Sequence, residues 1–223
     1  MSINKYWMWE LPEKIDGTAI IVDAFAATTN IPIILSKKPK KLIIINGEIL
    51  DKAKKIYPDG LVIGESTTLP KKTFICSNFP SDIIKCKFKN KIVLYMSSNG
   101  TKAIESVWRL TNHTVSCSFN NMLAVKKYIH NKKENNITVV MAGEFYKKVL
   151  EDQLCAEAII KEIKEEKYSW SDVSDKLIEY IKFHYKAVRK DFQSLDLTLN
   201  KNSYNIVPGL FKNNNSFLEV KSL

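Results

Sequence analysis

Four carboxylates in this 223-residue chain stand where an apolar run breaks off or a helix begins. Asp23 follows Ala19-Ile20-Ile21-Val22, Glu65 follows Leu61-Val62-Ile63-Gly64, and Glu151-Asp152 open the amphipathic run that starts at Leu150. A carboxylate beside a buried run is costly unless something satisfies it. Asp23 is either a helix cap or a functional acid. Glu151 and Asp152 either complement a helix dipole or serve a site. Carboxylates that converge from separate strand ends suit a hard, oxygen-preferring cation such as Mg²⁺, which takes one or two of them and keeps its waters. The second chemistry is anion binding. Ser97-Ser98-Asn99-Gly100-Thr101 follows Ile92-Val93-Leu94-Tyr95-Met96. Asn-Gly tolerates positive φ, so the chain can turn tightly and present successive N–H groups at a helix N-terminus; the plain alternative is a β-turn. Ser116-Cys117-Ser118-Phe119-Asn120-Asn121 has the same form, with a helix N-cap as its alternative, and Ala142-Gly143 makes a third such turn. Together the three favour a phosphate-sized ligand.

These residues need strands and helices to position them. The runs at 19–22, 61–63, 92–96, 114–115 and 137–141 are β-branched and nearly continuous, as in strands of a parallel sheet buried on both faces. In open α/β sheets ligands bind outside the carboxyl ends of such strands, and all five runs end in small polar or acidic residues. Leu42-Ile43-Ile44-Ile45 reads as a further strand. Helices are expected after Asp23, from Glu48 to Tyr57, Thr101 to Leu110, Asn121 to His130, Leu150 to Glu166 and Ser171 to Arg189. Ser66 to Asp82, with Pro70 and Pro80, lacks periodicity and reads as a long functional loop. From Asn200 onward the chain is polar and Asn-rich, with one strand-like segment, Ile206 to Leu210. The expected architecture is α/β: a three-layer α/β/α fold with a largely parallel or mixed sheet, forming a single domain over 1–223.

Composition narrows the function classes. The net charge is +10 and the pI near 9.3, but the basic residues are scattered lysines with only Arg109 and Arg189 as arginines. Recognition of bases and phosphates leans on Arg forks and stacked aromatics, so the expectation is no nucleic-acid partner. The surface still favours anionic ligands by long-range attraction. Cys76, Cys86, Cys117 and Cys155 show no paired spacing and read as reduced thiols of a cytoplasmic protein. The three histidines do not group with them, which argues against zinc. The first nine residues lack a signal-peptide pattern, and no apolar stretch approaches the roughly 20 residues that span a bilayer, so no membrane association is expected.

The collinear order Asp23…Ala27-Thr28-Thr29, Gly64-Glu65, Pro70, Asn78-Phe79-Pro80, Asn99-Gly100-Thr101-Lys102-Ala103, Ser118-Phe119-Asn120, Ala142-Gly143 and Glu151-Asp152…Cys155-Ala156 resembles the 2-phosphosulfolactate phosphatase family. The likeness runs from about Ala19 to Ile206-Val207-Pro208. It implies an α/β/α fold, Mg²⁺ as cofactor, hydrolysis of a small phosphorylated anion and a homodimer. In that reading Asp23, Glu65 and Asp152 hold the metal or position water, with Glu151 as a supporting acid. Thr28, Asn78, Asn99, Gly100, Thr101, Ser118, Asn120 and Gly143 bind the substrate. The chain departs from the family pattern at Ala26, where an Arg is usual, at Cys117 and at Glu157. The alternative is an altered relative that binds a phosphorylated metabolite or nucleotide without turnover.

Overall fold

The structure, a computed structural model, describes residues 1–111, 113–184 and 191–223. Its strands are β1 (Ser2–Trp7), β2 (Thr18–Val22), β3 (Lys41–Ile44), β4 (Leu61–Gly64), β5 (Ile92–Met96), β6 (Thr114–Ser116), β7 (Asn136–Met141), β8 (Pro208–Lys212) and β9 (Leu218–Ser222). The helices are α1 (Ala27–Ser36), α2 (Leu50–Ile56), α3 (Pro80–Ile83), α4 (Gly100–Trp108), α5 (Met122–Asn131), α6 (Leu150–Lys164), α7 (Trp170–His184) and α8 (Phe192–Leu199). All nine strands join one sheet in the order β1-β7-β2-β6-β8-β9-β3-β5-β4.

The α/β expectation is met by a mixed, mostly parallel sheet. Its internal directions were not foreseen. β1, β7, β2 and β6 form one parallel block, and β3, β5 and β4 form another. Between them lies the β8–β9 hairpin, with three antiparallel pairings in succession. An odd number of reversals makes the two blocks run in opposite senses.

Period-2 alternation sends neighbouring side chains to opposite faces, and the core divides accordingly. Ile20, Val22, Ile137, Val139 and Met141 pack with α5, α6 and α7. Ala19, Ile21 and Val140 of the first block and Leu42, Ile44, Val93 and Tyr95 of the second pack together with α1 and α4. On the outer face of the second block, Ile43, Val62 and Leu94 pack with α2. Helices therefore cover both faces, and α1 and α4 share one core that draws on both blocks.

Most expected elements stand within a few residues of where periodicity put them. The expected helix to Arg189 is seen as α7 to His184; residues 185–190 lie outside the described part. The 66–82 segment carries a 3₁₀ turn at Lys71–Thr73 and ends in α3. Four elements had not been read from the sequence: β1, α3, α8 and β9.

Gly64 holds the end of β4 with φ +110°, and a Cβ there would lie 1.8 Å from the Met96 carbonyl oxygen. Both the left-handed backbone and the contact with a neighbouring strand forbid a side chain. Gly64→Ala is expected to destabilise the protein by about 2 kcal/mol or more, from strain plus displaced backbone, read as a lower urea midpoint. A midpoint within error of the natural protein would show that the strand end yields freely.

Candidate active site

Strand ends from both blocks meet. Gly100, the first residue of α4, is so close to the start of α1 that a Cβ on it would stand 2.3 Å from Asp23 Oδ2 and 2.4 Å from Ala27 Cβ. The N-termini of α1 and α4 thus abut, one following β2 and the other β5. The third participant is α6, which follows β7 and carries Glu151 and Asp152 in its first turn. Helix N-termini favour negative charge, so three of them at one place form a setting for acids and anions alike. The expected positive φ at Gly100 is not found, since only Gly17, Gly64 and Gly143 among the described glycines have it. Glycine is required at 100 because another helix occupies the space of a side chain.

A cleft of about 630 Å³ opens at this junction. Asp23, Glu65, Glu151 and Asp152 all line it, as do Asn78, Asn99, Gly143 and Ala26. Asp152 is fixed most firmly: Oδ1 accepts the Ala24 N–H at 2.7 Å and Oδ2 the Gly143 N–H at 2.8 Å. One carboxylate thereby ties the ends of β2 and β7 to the start of α6. Asp23 is held through its backbone, its carbonyl accepting the Thr28 hydroxyl at 2.8 Å and its N–H meeting Thr28 Oγ1 at 3.0 Å. Gly143 has φ +67°, and a Cβ there would strike the Lys147 carbonyl and the Trp9 ring.

Burial sets the electrostatics. It pushes the Asp23 carboxyl up to about 7, with Glu65 and Glu151 adding like-charge repulsion and the Ala27 and Ala26 N–H groups pulling the other way. Asp152 is raised well above the usual carboxylate range, again chiefly by burial, then by Asp23 and Glu151, against the Ala24 and Gly143 N–H groups. Acids that repel one another in a desolvated site favour a proton or a cation. The donors are hard oxygens, the right chemistry for Mg²⁺. Among the described residues no group of three His, Cys, Asp or Glu side chains could hold a metal ion as an all-protein set. The arrangement fits an ion held by one or two carboxylates and otherwise by water.

Two amides are oriented by their neighbours. Asn99 Oδ1 accepts the Phe145 N–H at 3.1 Å, while Asn78 Oδ1 accepts the Tyr95 hydroxyl and the Asn30 amide. With both oxygens engaged, each Nδ2 group is the end left to donate. Phe145 and Tyr146, the central residues of the turn bridged by Glu144 and Lys147, both have positive φ, +47° and +64°. Such values are strained for bulky residues, and this turn is the one that fixes Asn99.

Five of the expected substrate ligands do not line the cleft: Gly100 and the side chains of the four residues Thr28, Thr101, Ser118 and Asn120. Thr28 braces the Asp23 turn, and Thr101 donates its hydroxyl to the Ser97 carbonyl. Ser118 meets the Thr29 hydroxyl at 2.6 Å and forms a capping box with Asn121, while Asn120 donates to the Thr29 carbonyl at 3.0 Å. All four are buried, one shell behind the surface a ligand would touch. Gly100 lies between, packed on Asp23. Sequence reading missed Glu144, Lys71, His184 and an apolar group including Phe25, Leu69 and Phe74, all on the cleft wall. Phe25 follows Asp23 within two residues and was within reach of inspection; the others carry no local signal.

The sequence model described as 2-phosphosulpholactate phosphatase matches residues 8–210. Proteins called "Probable 2-phosphosulfolactate phosphatase" are similar to this chain in Thermotoga petrophila (31% identity over 66% of the chain), Thermotoga maritima (32% over 66%) and Clostridium tetani (27% over 88%). The aligned stretch spans 63% of each Thermotoga protein, under two thirds of its length, and 91% of the clostridial one.

A carboxyl that holds its proton more tightly when folded contributes stability below its ordinary value, and this is lost as pH rises toward the folded one. For Asp23 that window runs from 3.8 to about 7. The melting temperature of the metal-free protein is expected to fall across it. Asp23→Asn should flatten the fall and melt higher at pH 8, leaving a residual slope from Asp152. An unchanged profile would mean that Asp23 is solvated in the folded chain.

Proposed function

The chain belongs to the 2-phosphosulpholactate phosphatase family, and from that membership we propose that it is a phosphoric monoester hydrolase acting on a small phosphorylated anion. The observation that carries the reading is the junction of the α1, α4 and α6 N-termini around Asp23 and Asp152. The Asn78 and Asn99 amide donors on the cleft suit phosphoryl oxygens, and donors aimed at developing charge stabilise a transition state.

In the proposed reaction a water oxygen attacks phosphorus in line with the ester bond. The P–O bond to the leaving group breaks, inorganic phosphate forms, and the leaving oxygen ends protonated. Without a bound ion Asp23 is pushed up to about 7; with the ion on the other acids it could exchange protons at neutral pH, taking one from the water or giving one to the leaving oxygen. Burial first, and then the charges of Glu65 and Glu151, keep that value high. Asp152 holds the strand ends in register. Mg²⁺ is part of the proposal, with one or two of Asp23, Glu65 and Asp152 as the acids that would hold it; when bound it would neutralise the cluster and polarise phosphoryl oxygens. Thr28, Thr101, Ser118 and Asn120 enter as positioning residues behind the site. The homodimer expected from the family remains part of the same proposal.

Ala26 supports a second reading. It lines the cleft where the resemblance implies a guanidinium, and loss of a charge-assisted partner weakens a phosphosulfonate by about 1.5–3 kcal/mol per bond. A chain so altered could capture a phosphorylated anion without turning it over.

Phosphate release from a panel of small esters, 2-phosphosulfolactate among them, separates the two readings. Turnover with added Mg²⁺ and loss of it with a chelator are expected, with Asp152→Asn reducing kcat at least a hundredfold, the size of a removed electrostatic stabiliser. Binding of inorganic phosphate with no ester hydrolysed would establish the binding reading. A second measurement addresses Ala26: Ala26→Arg should improve kcat/KM for 2-phosphosulfolactate about tenfold or more, and no gain would make that position silent.

A further inference from the structure

The same cleft has a second chemical character that phosphate recognition leaves unused. We propose that its apolar wall binds the organic part of the substrate, so that the chain prefers phosphate monoesters with an aromatic or otherwise flat apolar group over esters carrying a second anion. This rests on the phosphatase reading and names its substrate class.

Three observations support it. The first is size. At about 630 Å³ the cleft would hold about twenty waters at roughly 30 Å³ each, and it lies within the roughly 300–1,000 Å³ typical of sites for organic ligands. A phosphoryl group fills only a small part. The second is the wall itself. Phe25, Leu69, Phe74, Phe79 and Val149 line the cleft and come from three separate connections, after β2, after β4 and after β7. Leu69 and Phe74 rest on the core under the second block, and Phe25 and Phe79 on the core of the first. A wall backed by core from both sides is preformed, so a ligand need not order it. The third is charge. Among the described residues Lys71, an exposed side chain, is the one lysine or arginine on the lining. Among the described lining residues carboxylates outnumber Lys71 and His184, the basic side chains, so a second anionic group would meet mostly acids there, whereas an apolar group would lose only water.

Binding of phenylphosphonate and methylphosphonate, neither of which can be hydrolysed, isolates the wall. Titration calorimetry is expected to find phenylphosphonate at least tenfold tighter, the low end of what burying an aromatic group provides. Equal affinities would overturn the proposal. Benzyl phosphate and ethyl phosphate, both with alkoxide leaving groups, then give the kinetic comparison. The benzyl ester is expected to exceed the ethyl ester and 2-phosphosulfolactate in kcat/KM by tenfold or more. Phe74→Asn and Leu69→Asn, each with its melting temperature measured because both side chains pack on core, should lower the benzyl-to-ethyl ratio about fivefold. Superior turnover of 2-phosphosulfolactate would reject the apolar preference and leave the phosphatase reading standing. If no ester is hydrolysed, the phosphatase reading falls and the phosphonate comparison alone decides the wall.

Discussion

The Asp152 carboxylate, with one oxygen on the Ala24 N–H and the other on the Gly143 N–H, is the constraint on which the cleft depends. It joins the ends of two neighbouring strands to the first turn of a helix, and the joint is a charge-assisted pair of hydrogen bonds in a buried place. Two strand ends would otherwise leave backbone donors unsatisfied inside the protein, which is costly. The arrangement exacts a penalty elsewhere. Burying Asp152 near Asp23 and Glu151 raises its proton affinity, and the fold tolerates this because three helix N-termini supply opposing partial charge. A site that works against the stability of its own scaffold is common where chemistry is done.

The sheet explains how acids distant in sequence meet. Its two blocks run in opposite senses, yet the ends of β2 and β7 from one and of β4 and β5 from the other reach the same cleft. Helices α1 and α4 bridge them by packing into one core shared by both blocks, and the glycine at 100 permits the contact. Strand direction is a weaker constraint here than helix–helix approach.

Sequence patterns revealed the runs buried on both faces and the polar residues at their ends, because burial and strand termination are local properties. They also brought Asp23, Glu65, Glu151 and Asp152 to notice, and these four line one cleft. What lay hidden is of two kinds. Edge and cross-sheet strands were obscured by charge: β1 carries Lys5 on the sheet edge, and β9, Leu-Glu-Val-Lys-Ser, buries Glu219 against Lys41 at 3.1 Å. Depth was the other. A Ser-Phe-Asn-Asn turn looks the same whether its hydroxyl faces a ligand or a neighbouring helix, and Ser118 faces Thr29. The opposed directions of the blocks depend on where the β8–β9 hairpin inserts, a long-range choice no local window encodes.

That hairpin has a consequence in time. It follows all seven other strands in chain order, yet sits between β6 and β3 in the sheet. During synthesis each block emerges with one raw edge before the piece that joins them exists. Unpaired edges are templates for association with other chains, and pairings distant in sequence form slowly. The nascent protein therefore passes through a window in which two half-sheets wait for a shared keystone.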